Sequence, residues 1–183
     1  MSFNLNKTAL FVAFTSSALL MGAAQAATNA QVTITGQITA ATCDLNVTKN
    51  NIDLGTFVPT GISANAVIAG SSENFTLNLS NCTKDYDSTA EGATAVNLYA
   101  KGTALGANTA YFNNKDGATV GVKLTADGAT DVKPNIAADI SSLATLTSGG
   151  SATIPMTAEL FSTVATPAAQ MIEAPITFSV AYN

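Results

Sequence analysis

From about residue 30 onward, apolar and polar positions alternate with a period of two, the repeat of a strand that buries one face. Val32, Ile34 and Ile38 share a parity, with Gly36 between them. Ile52 and Leu54 alternate next, then Phe75, Leu77 and Leu79, then Val96 and Leu98. Val120, Val122 and Leu124 form another set, and Ile154, Met156, Ala158 and Leu160 a further one. The longest run is the last: Ile172, Ala174, Ile176, Phe178, Val180 and Tyr182. Thr, Asn and Ser fill much of the opposite parity, so each set predicts a half-solvated strand. Turn chemistry separates the runs at Pro59-Thr60-Gly61, Gly70-Ser71-Ser72, Asp116-Gly117, Asp127-Gly128 and Ser148-Gly149-Gly150-Ser151. Beyond the first 26 residues, only residues 137–144 suit a turn or two of helix. Many short strands with Gly-rich turns predict an all-β sandwich or barrel. The antibody-type pattern is missing: there is no Trp, and both Cys lie in the first half of the chain.

Residues 1–26 break this pattern and read as a secretory signal. Lys7 supplies the positive start, residues 8–21 a short apolar stretch, and Ala24-Gln25-Ala26 a small-x-small cleavage site. The stretch is shorter than the roughly 20 residues that span a bilayer, and no second apolar run of that length follows. The expectation is therefore an exported protein that is not integral to the membrane. Export gives the cysteines a meaning. Cys43 and Cys82 are the only two, so an oxidising compartment favours a single disulfide over two free thiols or a metal site.

Composition excludes several chemistries. The chain has no His and no Arg, twelve Asp plus Glu, seven Lys and a net charge of −5. Without His there is no His-based triad, zinc motif or proton shuttle. A chain this acidic and without Arg lacks the clustered positive charge of a nucleic-acid groove. Asp85, Asp87 and Glu91 lie close in sequence, but without the glycine and bidentate Glu of a calcium loop they read as a solvated loop. No enzyme, metal or cofactor is expected. Asn46-Val47-Thr48, Asn74-Phe75-Thr76 and Asn78-Leu79-Ser80 fit the N-glycosylation pattern and read as chance matches in a Thr/Asn-rich strand protein.

The two ends of the expected mature chain stand out. Residues 28–38 form a long alternating segment almost without charge, in a place where chains normally fray. The final alternating run finishes one residue before Asn183. A terminal strand this apolar needs cover, or it becomes an aggregation edge. With these features the chain resembles the major pilin subunits of chaperone–usher, type 1-like fimbriae. The stretch from Val32-Thr33-Ile34-Thr35-Gly36-Gln37-Ile38 to Cys43 resembles the family's N-terminal extension leading into its first cysteine. Phe75-Thr76-Leu77-Asn78-Leu79-Ser80-Asn81-Cys82 resembles the strand ending at the second. Ile154-Pro155-Met156-Thr157-Ala158 and Ala165-Thr166-Pro167 resemble the penultimate strand and its turn, and Phe178-Ser179-Val180-Ala181-Tyr182-Asn183 the C-terminal motif with its penultimate Tyr. Residues 83–150 match only loosely.

The resemblance implies an incomplete immunoglobulin-like β-sandwich that lacks its final strand. It implies a signal at 1–26, a donor-strand extension at 27–40 and a pilin domain at 41–183. A periplasmic chaperone would fill the open groove first. The extension of an identical or related subunit would then replace it at the outer-membrane usher, building a head-to-tail fimbrium on the bacterial surface that supports adhesion. Val32, Ile34 and Ile38 would enter the groove, with Gly36 at a point of close approach. Ile172, Ile176, Phe178 and Val180 would form the groove wall, Tyr182 its anchor, and the carboxylate of Asn183 a chaperone contact. Departures from the family pattern stand out, among them a slightly longer stretch between Pro167 and Phe178. Gln170 occupies the position, fourteen residues from the end, where the family usually has Gly, and Pro175 lies inside the last run. A minor adaptor subunit is the nearest rival. A secreted, monomeric, ligand-binding β-sandwich is the rival from another class.

Overall fold

The structure, a computed structural model, describes residues 43–182 apart from 88, 90, 92–94, 115–117, 144 and 145. The expected signal, the donor residues Val32, Ile34, Gly36 and Ile38, and Asn183 lie outside the described residues. Eleven strands form among the described residues: β1 Asp44–Val47, β2 Ala66–Val67, β3 Glu73–Ser80, β4 Asn97–Lys101, β5 Ala104–Leu105, β6 Asn108–Phe112, β7 Val120–Ala126, β8 Thr130–Val132, β9 Ala137–Asp139, β10 Ala152–Ser162 and β11 Thr177–Ala181. No helix occurs among the described residues.

The strands divide into two sheets that form a sandwich. The larger runs β1-β3-β10-β7-β6-β5, with β2 also pairing with β10 and β8 with β7. The smaller runs β11-β4-β9. All these ladders are antiparallel. Strand β10 is the spine of the larger sheet. Its first half pairs Ile154 with Leu77 and Met156 with Phe75, and its second half pairs Ala158 with Leu124 and Leu160 with Val122. Side chains of one parity therefore gather on one face, as the period-two pattern requires. Leu98, Ala100 and Val180 of the smaller sheet and Ala138 of β9 complete the core cluster with them.

Cys43 and Cys82 are joined by a disulfide. It closes the end of the β1–β3 ladder beside the pair Asp44 and Ser80. The sequence separation of 39 makes this a long closed loop, whose removal frees much conformational entropy in the unfolded chain. Replacing both cysteines by Ser is expected to lower stability by about 2–4 kcal/mol. A denaturant titration checks this: the midpoint should fall in the variant, and reductant should lower the parent to match it.

Three expectations are corrected. Of residues 137–144, those described, 137–143, form strand β9 and then a turn, not helix. Asp139 accepts hydrogen bonds from the hydroxyl and N–H of Ser141, and Ser141 Oγ accepts from Val96 N, so the turn is pinned to the start of β4. Ile52 and Leu54 keep their inward parity but lie in no strand. The final run pairs with β4 only from Thr177 onward, and residues 171–176 form no ladder. Pro175, which has no N–H to donate, lies just before that ladder begins.

Candidate functional site

The two apolar segments without a ladder face one feature. A cleft of about 1280 Å³ opens in the sandwich. One wall is residues 49–57 with Pro59 and Ile62, and the other is residues 167–178. The floor is made by Phe75 of β3, Val120, Val122 and Leu124 of β7, and Ala158 and Leu160 of β10. The segments that flank the walls meet at two places. Near the disulfide, Tyr182 Oη of the C-terminal run lies 4.0 Å from Cys43 Sγ. Beyond the opposite stretch, Thr166 N donates to the Ile62 carbonyl at 3.1 Å.

Both walls have the make-up of strands that have lost a neighbour. Ile52 and Leu54 on one side, and Ile172, Ala174, Ile176 and Phe178 on the other, are half-buried, while the residues between them are exposed. Among the described residues, no backbone hydrogen bond joins residues 49–57 to a neighbouring strand. In residues 171–176 the sole backbone bond among the described residues is that accepted by the Glu173 carbonyl from Asn114 N, at 3.0 Å. Extended backbone carries a donor and an acceptor at nearly every residue and is normally paired. An apolar slot bordered by such backbone has the chemistry to accept an extended peptide: edge groups for its main chain, hollows for alternate side chains.

The predicted site residues divide between two environments. Ile172, Ile176 and Phe178 line the cleft. Phe178 marks its inner limit, with its ring centroid 6.1 Å from that of Phe75 on the floor. Val180 and Tyr182 continue the same parity but are buried, at 5% and 2% exposure, and do not line the cleft. Cover thus thins along one face of one segment, from Tyr182 back to Ile172. Tyr182 is fixed by its hydroxyl, which donates to the Lys84 carbonyl at 2.6 Å and accepts from Lys84 N at 3.3 Å. Its ring meets that of Tyr86 edge-on at 6.1 Å.

The opposite wall, residues 49–62, has no counterpart among the predicted site residues. Its signal was the Ile52 and Leu54 alternation, read as an ordinary strand. Phe57 was also missed; its ring packs over Gly55, where an added Cβ would come within 3.3 Å of the ring. The described groups with displaced pKa all lie outside the cleft lining. Hydrogen bonds from Thr89 lower that of Asp87, hydrogen bonds from Ser141 lower that of Asp139, and burial followed by the charge of Asp131 raises that of Tyr111.

A sequence model of the family described as "Fimbrial protein" matches residues 32–183. The chain belongs to the fimbrial protein family. The match starts at Val32, so residues 32–38 of the alternating segment ahead of Cys43 belong to the family pattern. The sandwich is similar to the crystal structure of the P pilus rod subunit PapA. The TM-score is 0.56 at 20% identity, covering 78% of this chain and 100% of that one. It is also similar to a subunit in the structure of a chaperone–usher pilus described in terms of rod uncoiling. There the TM-score is 0.53 at 20% identity, covering 85% of this chain and 96% of that one. A comparison with curated protein sequences found no match. The family-level resemblance read from the sequence is borne out. This fimbrial protein is a structural subunit of a surface fimbrium, working in contact with other subunits.

Proposed function

We propose that the fimbrial protein polymerises head-to-tail by strand donation. Residues 32–38 of one copy enter the cleft of the next, between residues 49–57 and 171–178. Val32, Ile34 and Ile38 face the floor, and Gly36 sits where the inserted backbone comes closest to it. A slip of one residue would turn Thr33, Thr35 and Gln37 inward instead, so register is strongly set. Burying the three aliphatic side chains contributes roughly 5–9 kcal/mol, at about 1.5–3 kcal/mol each. Ordering the extension opposes this. Because donor and acceptor are different surfaces, the contact repeats without closing.

In this reading residues 1–26 direct export, a periplasmic chaperone covers the cleft before assembly, and an outer-membrane usher exchanges it for the next subunit's extension. The observation that carries the proposal is the cleft itself: two apolar, extended walls whose backbone finds no ladder partner among the described residues. The test is an unboiled gel of surface material from cells making the chain with a cognate chaperone and usher. A ladder of stable multimers is expected, collapsing to one band on boiling. A single monomer band before boiling contradicts the proposal and favours a secreted monomeric binder.

A further inference from the structure

The end of the cleft near residues 167–171 is held by one side chain. Gln170 Oε1 accepts from Thr119 N at 3.2 Å and Val120 N at 3.4 Å. Its Nε2 donates to Thr119 Oγ1 at 3.1 Å and to the Ala168 carbonyl at 3.1 Å. Those partners are a junction. The Thr119 carbonyl accepts from both Thr163 N and Thr163 Oγ1 beyond β10, and the Val120 carbonyl accepts from Asn113 Nδ2 beyond β6. Val120 is also the first floor residue of β7. The Gln170 amide thus ties a wall to the floor as a strand partner would, using a side chain instead of a ladder. Among the described residues, the other backbone ties at or beside this wall are Thr166 N to the Ile62 carbonyl and Asn114 N to the Glu173 carbonyl, before β11 begins at Thr177.

We propose that Gln170 is a positioning residue for strand capture: it holds the wall in place over residues 167–171 and so fixes where an inserted strand makes its contacts at that end. The inference rests on the acceptor role proposed above. An incoming peptide does not have to order a wall that is already held, so the amide acts on retention of the peptide more than on the fold. Gln170 is partly exposed.

The test uses the full chain carrying Ile34→Asp, so that its own extension does not compete, and a labelled synthetic peptide of residues 28–40. Dissociation is timed for the parent, for Gln170→Gly and for Gln170→Glu. The Gly variant should release the peptide about tenfold faster, the effect of losing one or two net hydrogen bonds. The Glu variant should release it at a rate between the two: its carboxylate accepts the same two N–H groups and the Thr119 hydroxyl turns to donate, but the bond to the Ala168 carbonyl is lost and two acceptors face each other there. Peptides shortened by three residues at either end supply the decisive readout. One of the two no longer reaches residues 167–171, and its release should be the same from parent and Gly variant. Equal release of every peptide from parent and Gly variant overturns the inference while leaving the acceptor role intact. An equal acceleration for all peptides also overturns it, since that marks a general loss of structure. Absence of peptide binding to the parent removes the acceptor role and this inference with it.

Discussion

Replacing Ile34 by Asp is expected to abolish filament formation while leaving a soluble complex with the chaperone intact. In the proposed filament Ile34 lies at the middle of the inserted segment, which crosses a floor that includes Phe75, Val122 and Leu160. The substitution removes an aliphatic side chain worth about 1.5–3 kcal/mol. It also asks an ionised carboxylate to enter a mostly apolar slot whose lining cation, Lys49, already pairs with Glu73, which costs several kcal/mol more. Together these amount to a loss of at least about a thousandfold in subunit affinity. The acceptor cleft of the variant is unchanged, so the chaperone still has its seat. Electron microscopy for filaments and co-purification with the chaperone read the two halves separately. Normal filaments from the variant would count against the donor role of residues 32–38.

Deleting residues 178–183 should have the opposite signature: no chaperone complex, and degradation of the chain. The deletion removes all but Thr177 of β11, and with it most of the ladder that pairs this strand with β4. It also removes three inward side chains, Phe178, Val180 and Tyr182, worth roughly 5–9 kcal/mol together at about 1.5–3 kcal/mol each. That is comparable with the whole stability of a typical domain, about 5–15 kcal/mol. Tyr182 is also the contact that brings the C-terminal run against Lys84 and the disulfide. Immunoblots of the periplasmic fraction, with and without the chaperone, would follow the chain. A stable complex recovered from the deletion variant would show that the cleft wall forms without its anchor.

The strands that carry the fold were legible because each hides one face and wets the other. Phe75, Leu77 and Leu79, then Val120, Val122 and Leu124, then Ile154 to Leu160, are β3, β7 and β10, the adjacent strands at the centre of the larger sheet. Strands β5, β8 and β9 were not legible, because they are two or three residues long and too short to show a period. Strand β6 was missed for another reason: Asn108 to Phe112 alternates only weakly, with one large fully buried side chain, Phe112.

The cleft walls teach something different. Ile52 with Leu54, and Ile172 with Ala174 and Ile176, alternate as clearly as any core strand, yet neither segment joins a ladder. Alternation reports a face that seeks burial and is silent about the backbone's partner. A segment that waits for a strand from elsewhere therefore looks like an ordinary strand in sequence. The role of Gln170 was illegible for a related reason: its partners Thr119 and Val120 lie about fifty residues away, and only the fold brings them together. The departure from glycine at that position could be seen in the sequence, but not the contacts that the longer side chain makes.

Amide hydrogen exchange at the two cleft walls tests most directly the idea that the sandwich is finished from outside. The sample is the single full chain carrying Ile34→Asp, measured alone and after adding a peptide of residues 28–40. The amides of residues 49–57 and 171–176 should exchange rapidly in the chain alone and become strongly protected when the peptide is present, while those of β3 and β10 stay protected throughout. Wall amides already protected in the chain alone, and indifferent to the peptide, would contradict the account.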